Sequence, residues 1–172
     1  METRYDFLAD LKSVVSQYLS TLGYPQTQEE DLDNVLIQYF NLQRRIPPVL
    51  AWTVKQSKEL VAKSFPKSIG LGLQQFIQKA EFGQSLAPYL SKKIKELDYK
   101  DLMFYDWEVF HFHLGTNPDP NQQEFVERTG DLLFAIADPS KAEMYLIDIQ
   151  NHGGFTNQDL LRIGLKFLIR TL

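Results

Sequence analysis

The chain has three histidines, and two of them stand in the pattern His111-Phe112-His113, with His152 downstream. Histidine titrates near neutrality and can both take and give a proton. Arg128 lies between the pair and His152, and Asp148 sits in the apolar run just before His152. A guanidinium holds a phosphate and stabilises charge that develops in a transition state. Acid–base cleavage of a phosphodiester needs these residue types and no metal. One histidine would activate a ribose 2′-hydroxyl, another would protonate the leaving oxygen, and Arg128 would bind the scissile phosphate. Asp148 would orient an imidazole.

The same residues admit two other readings. His-x-His on a strand presents two imidazoles to one ion, and His152 with Asp148 or Asp106 would complete a zinc-like set. Alternatively the histidines are hydrogen-bonded structural residues, Arg128 pairs with Glu127 or Asp131, and Asp106-Trp107 caps a turn and fills the core. Other chemistries lack their motifs. There is no cysteine, no His-Glu-x-x-His, no Gly-x-Ser-x-Gly elbow and no phosphate-cradling glycine loop.

These residues must be positioned by strands. Glu108 to Leu114, Phe125 to Ala137 and Met144 to Gln150 read as extended runs, separated by turn signals at Pro118 and Pro120 and at Asp138-Pro139-Ser140-Lys141. Alternation sends Val109, His111 and His113 to one face, and Phe110, Phe112 and Leu114 to the other. Asp148 joins the histidine face if Tyr145, Ile147 and Ile149 point to the core. Gly153-Gly154 ends the third run, and Thr156 with Asp159 marks the start of a final helix.

The first hundred residues read as helices. Thr3 is an N-cap candidate, apolar residues recur at helical spacing from Phe7 to Leu22, and Gly23 and Pro25 stop that helix. Thr27 to Glu30 forms a capping box before Leu32 to Phe40. A third helix is expected over about 49–63, a fourth from Ile69 to Phe82, and a last over about 86–97 with Pro88 in its first turn. The prediction is an α+β chain: a helical region over 1–98, then a three-stranded antiparallel sheet with a C-terminal helix over 99–172.

Composition bounds the function. Hydrophobic residues make up 44% and charged residues 23%, as in ordinary globular proteins. Residues 1–100 carry 13 Lys/Arg against 11 Asp/Glu, and residues 101–172 carry 5 against 11. The histidine-bearing part is therefore acidic, so phosphate contacts would have to come from the helical part, through Arg44, Arg45, Lys55, Lys58, Lys63, Lys67, Lys92, Lys93, Lys95 and Lys100. The segment Met1 to Lys12 is amphipathic without a secretory apolar core, and no stretch approaches the ~18 apolar residues of a membrane span. A cytoplasmic protein with no membrane association is expected.

The layout of Trp107 to Gly115, then Arg128 to Ala135, then Tyr145 to Ile149 and His152, resembles RelE/ParE-type ribonuclease toxins of the BECR fold over about 107–165. Such toxins are small α+β proteins with a helix against an antiparallel sheet, and many cleave RNA without a metal. On this resemblance His111, His113, Arg128 and His152 form the active face, and a neutralising, antitoxin-like protein partner is implied. The sequence reading is thus a metal-independent endoribonuclease of toxin or phage-defence type, with RNA as substrate and no cofactor. Two alternatives stand beside it: a non-enzymatic protein-interaction module with structural histidines, and a metal-dependent hydrolase using the His-x-His pair. An electropositive groove leading to His111 would favour the nuclease. An apolar patch on the helices, with buried and hydrogen-bonded histidines, would favour the module.

Overall fold

The computed structural model describes residues 6–24, 31–96, 99, 101–152, 160 and 162–164. The chain is α+β, and its packing separates it into two compact units, 1–45 with 92–99, and 46–91 with 100–172. The expected cut near Asp98 falls in the short excursion that returns to the first unit.

The first unit is a helical hairpin with that excursion. Helix α1 spans Phe7–Thr21 and α2 spans Leu32–Arg45. Asp6 caps α1 by accepting from the Ala9 N–H, and Asp31 accepts from the Asn34 N–H at the start of α2. Thr3 and the Thr27 to Glu30 box lie outside the described residues. Gly23 takes φ +87°, the left-handed turn foreseen for the end of α1. Val15 and Leu19 of α1 and Val35 and Leu42 of α2 are buried. Arg45 is buried too, and donates to the carbonyls of Asn41, Glu96 and Tyr99 at 3.2, 3.4 and 3.0 Å. The Tyr24 hydroxyl donates to the Ile94 carbonyl. The helix expected over 86–97 is instead two short 3-10 turns, 87–89 and 92–95.

The second unit is built on a four-stranded mixed sheet rather than three antiparallel strands. Strand β1 (Thr53–Gln56) lies parallel to β4 (Glu143–Asn151). β4 is antiparallel to β3 (Asp131–Asp138), and β3 to β2 (Val109–His113), in the order β1-β4-β3-β2. The helix expected over 49–63 is therefore wrong. Thr53 and Val54, β-branched, begin β1, and the Ser57 side chain caps the four-residue helix α3 (Lys58–Val61) while its hydroxyl donates to the Ile147 carbonyl. Helix α4 (Lys67–Glu81) follows as expected. α5 (Leu102–Trp107), not foreseen as a helix, is capped by Asp101.

Both faces of β2, β3 and β4 are buried, whereas β1 at the edge is exposed or half-buried. On one face, Phe112 meets Phe76 of α4, which also packs edge-on against Tyr89. On the other, Val109, Leu132, Phe134, Ile136 and Ile147 pack with Met103 of α5 and with Leu160 and Ile163. Leu160 and residues 162–164 are helical, and Gly164 brings its backbone close to the Ile136 and Ile147 Cδ1 atoms. The Thr156 cap lies outside the described residues. No helix among the described residues is long and apolar enough to cross a membrane.

Candidate functional site

The register places His111 opposite Phe134, and Phe134 opposite Asp148. The pairing slips between Phe134 and Ala135, whose β4 partners are Asp148 and Leu146. Ile147 is the extra residue of this bulge, and the slip sets Asp148 in the same cross-strand row as His111. The expected sharing of one face by His111, His113 and Asp148 is thus reached through a β-bulge. That face is a core layer rather than an open cleft.

His111 is buried, with Nδ1 3.1 Å from Oδ2 of Asp101. Asp101 uses its other carboxylate oxygen to cap α5, accepting from the Phe104 N–H at 3.2 Å. The carboxylate that caps α5 thus lies beside the His111 ring in the middle of β2. α5 reaches both faces of that strand, since Phe104 packs on Phe110 at 4.7 Å between ring centroids.

His113 is only 4% exposed. Its Nδ1 lies 3.1 Å from the Thr129 N and 3.2 Å from the Thr129 O. The Thr129 N–H requires a lone pair on Nδ1, which fits a neutral ring carrying its proton on Nε2. Burial, followed by the nearby Arg128 guanidinium, pushes the His113 pKa down to about 3. At neutral pH the ring is uncharged and cannot serve as a general acid in its imidazolium form. Thr129 completes the knot: its hydroxyl accepts from the Leu114 N–H and donates to the Asp131 carbonyl.

Arg128 does not open a strand, because β3 begins at Asp131. Nor does it pair with Glu127 or Asp131. Its Nε and Nη2 donate to the Val126 carbonyl at 3.0 and 2.6 Å, Nη1 donates to Leu90 at 2.7 Å, and Nη2 also reaches Pro88 at 3.3 Å. The guanidinium lies over the Phe125 ring at 5.3 Å, and the buried carboxylate of Asp119 supports its charge. Every nitrogen of the fork is engaged by main chain, so Arg128 fastens 88–90 to 126–128.

Asp148 is buried and fully engaged. The Lys63 ammonium lies 2.6 and 2.7 Å from its two oxygens, the Ile149 N–H donates at 2.8 Å and the Gln150 amide at 2.9 Å. It is too occupied by these donors to act as the orienting partner of an imidazole. His152 is exposed at the end of β4, its ring centroid 5.8 Å from that of His113. It is the most exposed member of the set; Arg128 is half-buried, and His111, His113 and Asp148 are buried.

The sequence reading missed Asp101, which lies beside His111, and Thr129 and Lys63, which bond to His113 and Asp148. Asp101 was legible as an N-cap before the apolar Leu102-Met103-Phe104. The other two depend on long-range packing that leaves no local signal. Several of the basic residues expected to contact phosphate are otherwise engaged: Arg45 is buried, Lys63 holds Asp148, and Lys55 bonds to Glu143. Among the described residues, no group of three or more His, Asp or Glu is arranged to hold a metal ion. Exposed apolar side chains lie on the hairpin: Phe7, Leu8, Val14 and Tyr18 on α1, Ile37 and Phe40 on α2. No protein-family model matches the chain, and no curated protein or solved structure matches it.

Proposed function

We propose that the protein is a non-enzymatic interaction module whose α1–α2 hairpin docks a protein surface, with His111, His113, Arg128 and Asp148 holding the sheet together. The carrying observation is the Arg128 guanidinium. All three of its nitrogens donate to the carbonyls of Val126, Leu90 and Pro88, so four of its five N–H groups are spent on the fold's own main chain rather than offered to a phosphate. The apolar residues exposed on the hairpin supply a surface of the kind that proteins use to associate.

A metal-independent endoribonuclease is the second reading, and one observation favours it. His152 is exposed beside the His113 ring, so two imidazoles meet where water can reach one of them. The two readings separate in a cleavage assay with purified protein and RNA, with and without EDTA, for the parent, His152→Ala and Arg128→Ala. The module reading expects no cleavage above background in any sample, and Arg128→Ala unfolding more easily than the parent. Cleavage that survives EDTA and disappears in a stably folded His152→Ala would overturn it in favour of the nuclease. Cleavage lost with EDTA and restored by zinc would move the function to a metal centre.

A further inference from the structure

The outer face of α2 carries Asp33, Ile37, Phe40 and Arg44 at steps of four, three and four residues. This is the spacing of a helix–helix seam. Ile37 and Phe40 are 57% and 59% exposed, and Asp33 and Arg44 are exposed at the two ends. The row reads the same in kind from either direction about its midpoint, apart from the sign of its charges: charge, apolar, apolar, opposite charge. A two-fold axis through that midpoint sets Ile37 against Phe40 of a second copy and Asp33 against Arg44, twice over. It also runs the two helix dipoles antiparallel. A parallel arrangement would instead bring Asp33 onto Asp33 and Arg44 onto Arg44. The apolar surface extends beyond the row, because Phe40 packs edge-on against Tyr39 and Tyr39 against Tyr18 of α1. Val14, one turn before Tyr18, is exposed as well.

We propose that the partner of the α1–α2 hairpin is a second copy of this chain, joined through an antiparallel α2–α2 seam with reciprocal Asp33–Arg44 pairs. This rests on the interaction-module reading and names its partner. The seam spacing fits a helix as occupant, and the charge order of this row is complementary to its own reverse.

Sedimentation velocity of the full chain across the micromolar range tests it. The parent is expected to be dimeric. Ile37→Glu is expected to be monomeric with the parent's helical circular dichroism, since the side chain is exposed in the single chain. Asp33→Arg is expected to weaken the dimer about tenfold by setting like charges across the seam, and Asp33→Arg with Arg44→Asp to restore it. A parent that stays monomeric overturns the proposal, and the occupant is then a different protein. A dimer indifferent to Ile37→Glu, or a double variant no tighter than Asp33→Arg alone, overturns it too. None of these outcomes bears on RNA cleavage, so the two readings fail separately.

Discussion

His113 and Arg128 show how chemically capable side chains become structural when the chain surrounds them. The His113 ring is neutral because burial and the Arg128 charge disfavour the imidazolium. Unfolded, the same imidazole takes up a proton near pH 6.5, whereas in the fold it does so only at about 3. Between those values the unfolded chain binds more protons, so stability is full above about pH 6.5 and falls as the pH drops, by up to about 1.4 kcal/mol per unit. In His113→Asn this linkage is gone. The parent's advantage over that variant in urea unfolding should shrink by about 2 kcal/mol between pH 7 and pH 5. An advantage that does not change would show that His113 is not buried as a neutral ring. Arg128→Met leaves the carbonyls of Leu90, Pro88 and Val126 without their charged donor, a loss of roughly 2–4 kcal/mol in the same assay. Arg128→Lys should recover little of it, because a point ammonium cannot serve three carbonyls arranged for a planar fork. A fully stable Arg128→Met would remove the argument that this guanidinium is a clamp.

The joint between α4 and β2 depends on one missing methyl. A Cβ built on Gly72 would stand 1.9 Å from the Leu114 carbonyl oxygen, whereas one on Gly70 would meet nothing within 4 Å. Gly72→Ala must push α4 off the sheet and separate Phe76 from Phe112, so we expect a cost of about 3 kcal/mol or more. Gly70→Ala should raise stability by about 0.5–1 kcal/mol through helix propensity. Equal thermal shifts of the same sign for the two would contradict this packing. The helical period of 67–81, the alternation of 109–113 and the Asp138 turn were readable because their determinants are local. β1 was read as helix because four residues are too few to establish a period. Their extended form is set by parallel pairing with β4, whose residues lie far along the chain. The shared face of His111 and Asp148 was legible only as a condition, because the bulge at Ile147 decides it. Arg128 was misplaced for a related reason: Phe125 to Ala137 was read as one extended run, yet β3 starts only at Asp131, and the arginine serves the loop before it.

The whole chain joins a discontinuous helical unit to a sheet unit that contains all four strands within 46–172. Residues 101–172 are acidic, and the lysines of 46–91 offset most of that charge within the sheet unit. These features separate cleanly in a chain that begins at Ile46. It keeps β1, α4, the Arg128 clamp and the His113–Thr129 knot. It loses α1, α2 and the partners that Tyr24 and Arg45 give to 92–99. The shortened chain should therefore retain a cooperative unfolding transition and the same decline in stability below pH 6.5, because the group responsible is intact. It should also sediment as a monomer where the full chain is a dimer, because the α2 seam is gone. If it is unfolded, the helical unit is required for the sheet to form, and the hairpin is part of the folding core rather than a docking surface. If it folds but still dimerises, the contact lies on the sheet unit, whose exposed Phe82, Leu102 and Trp107 would be the first residues to substitute.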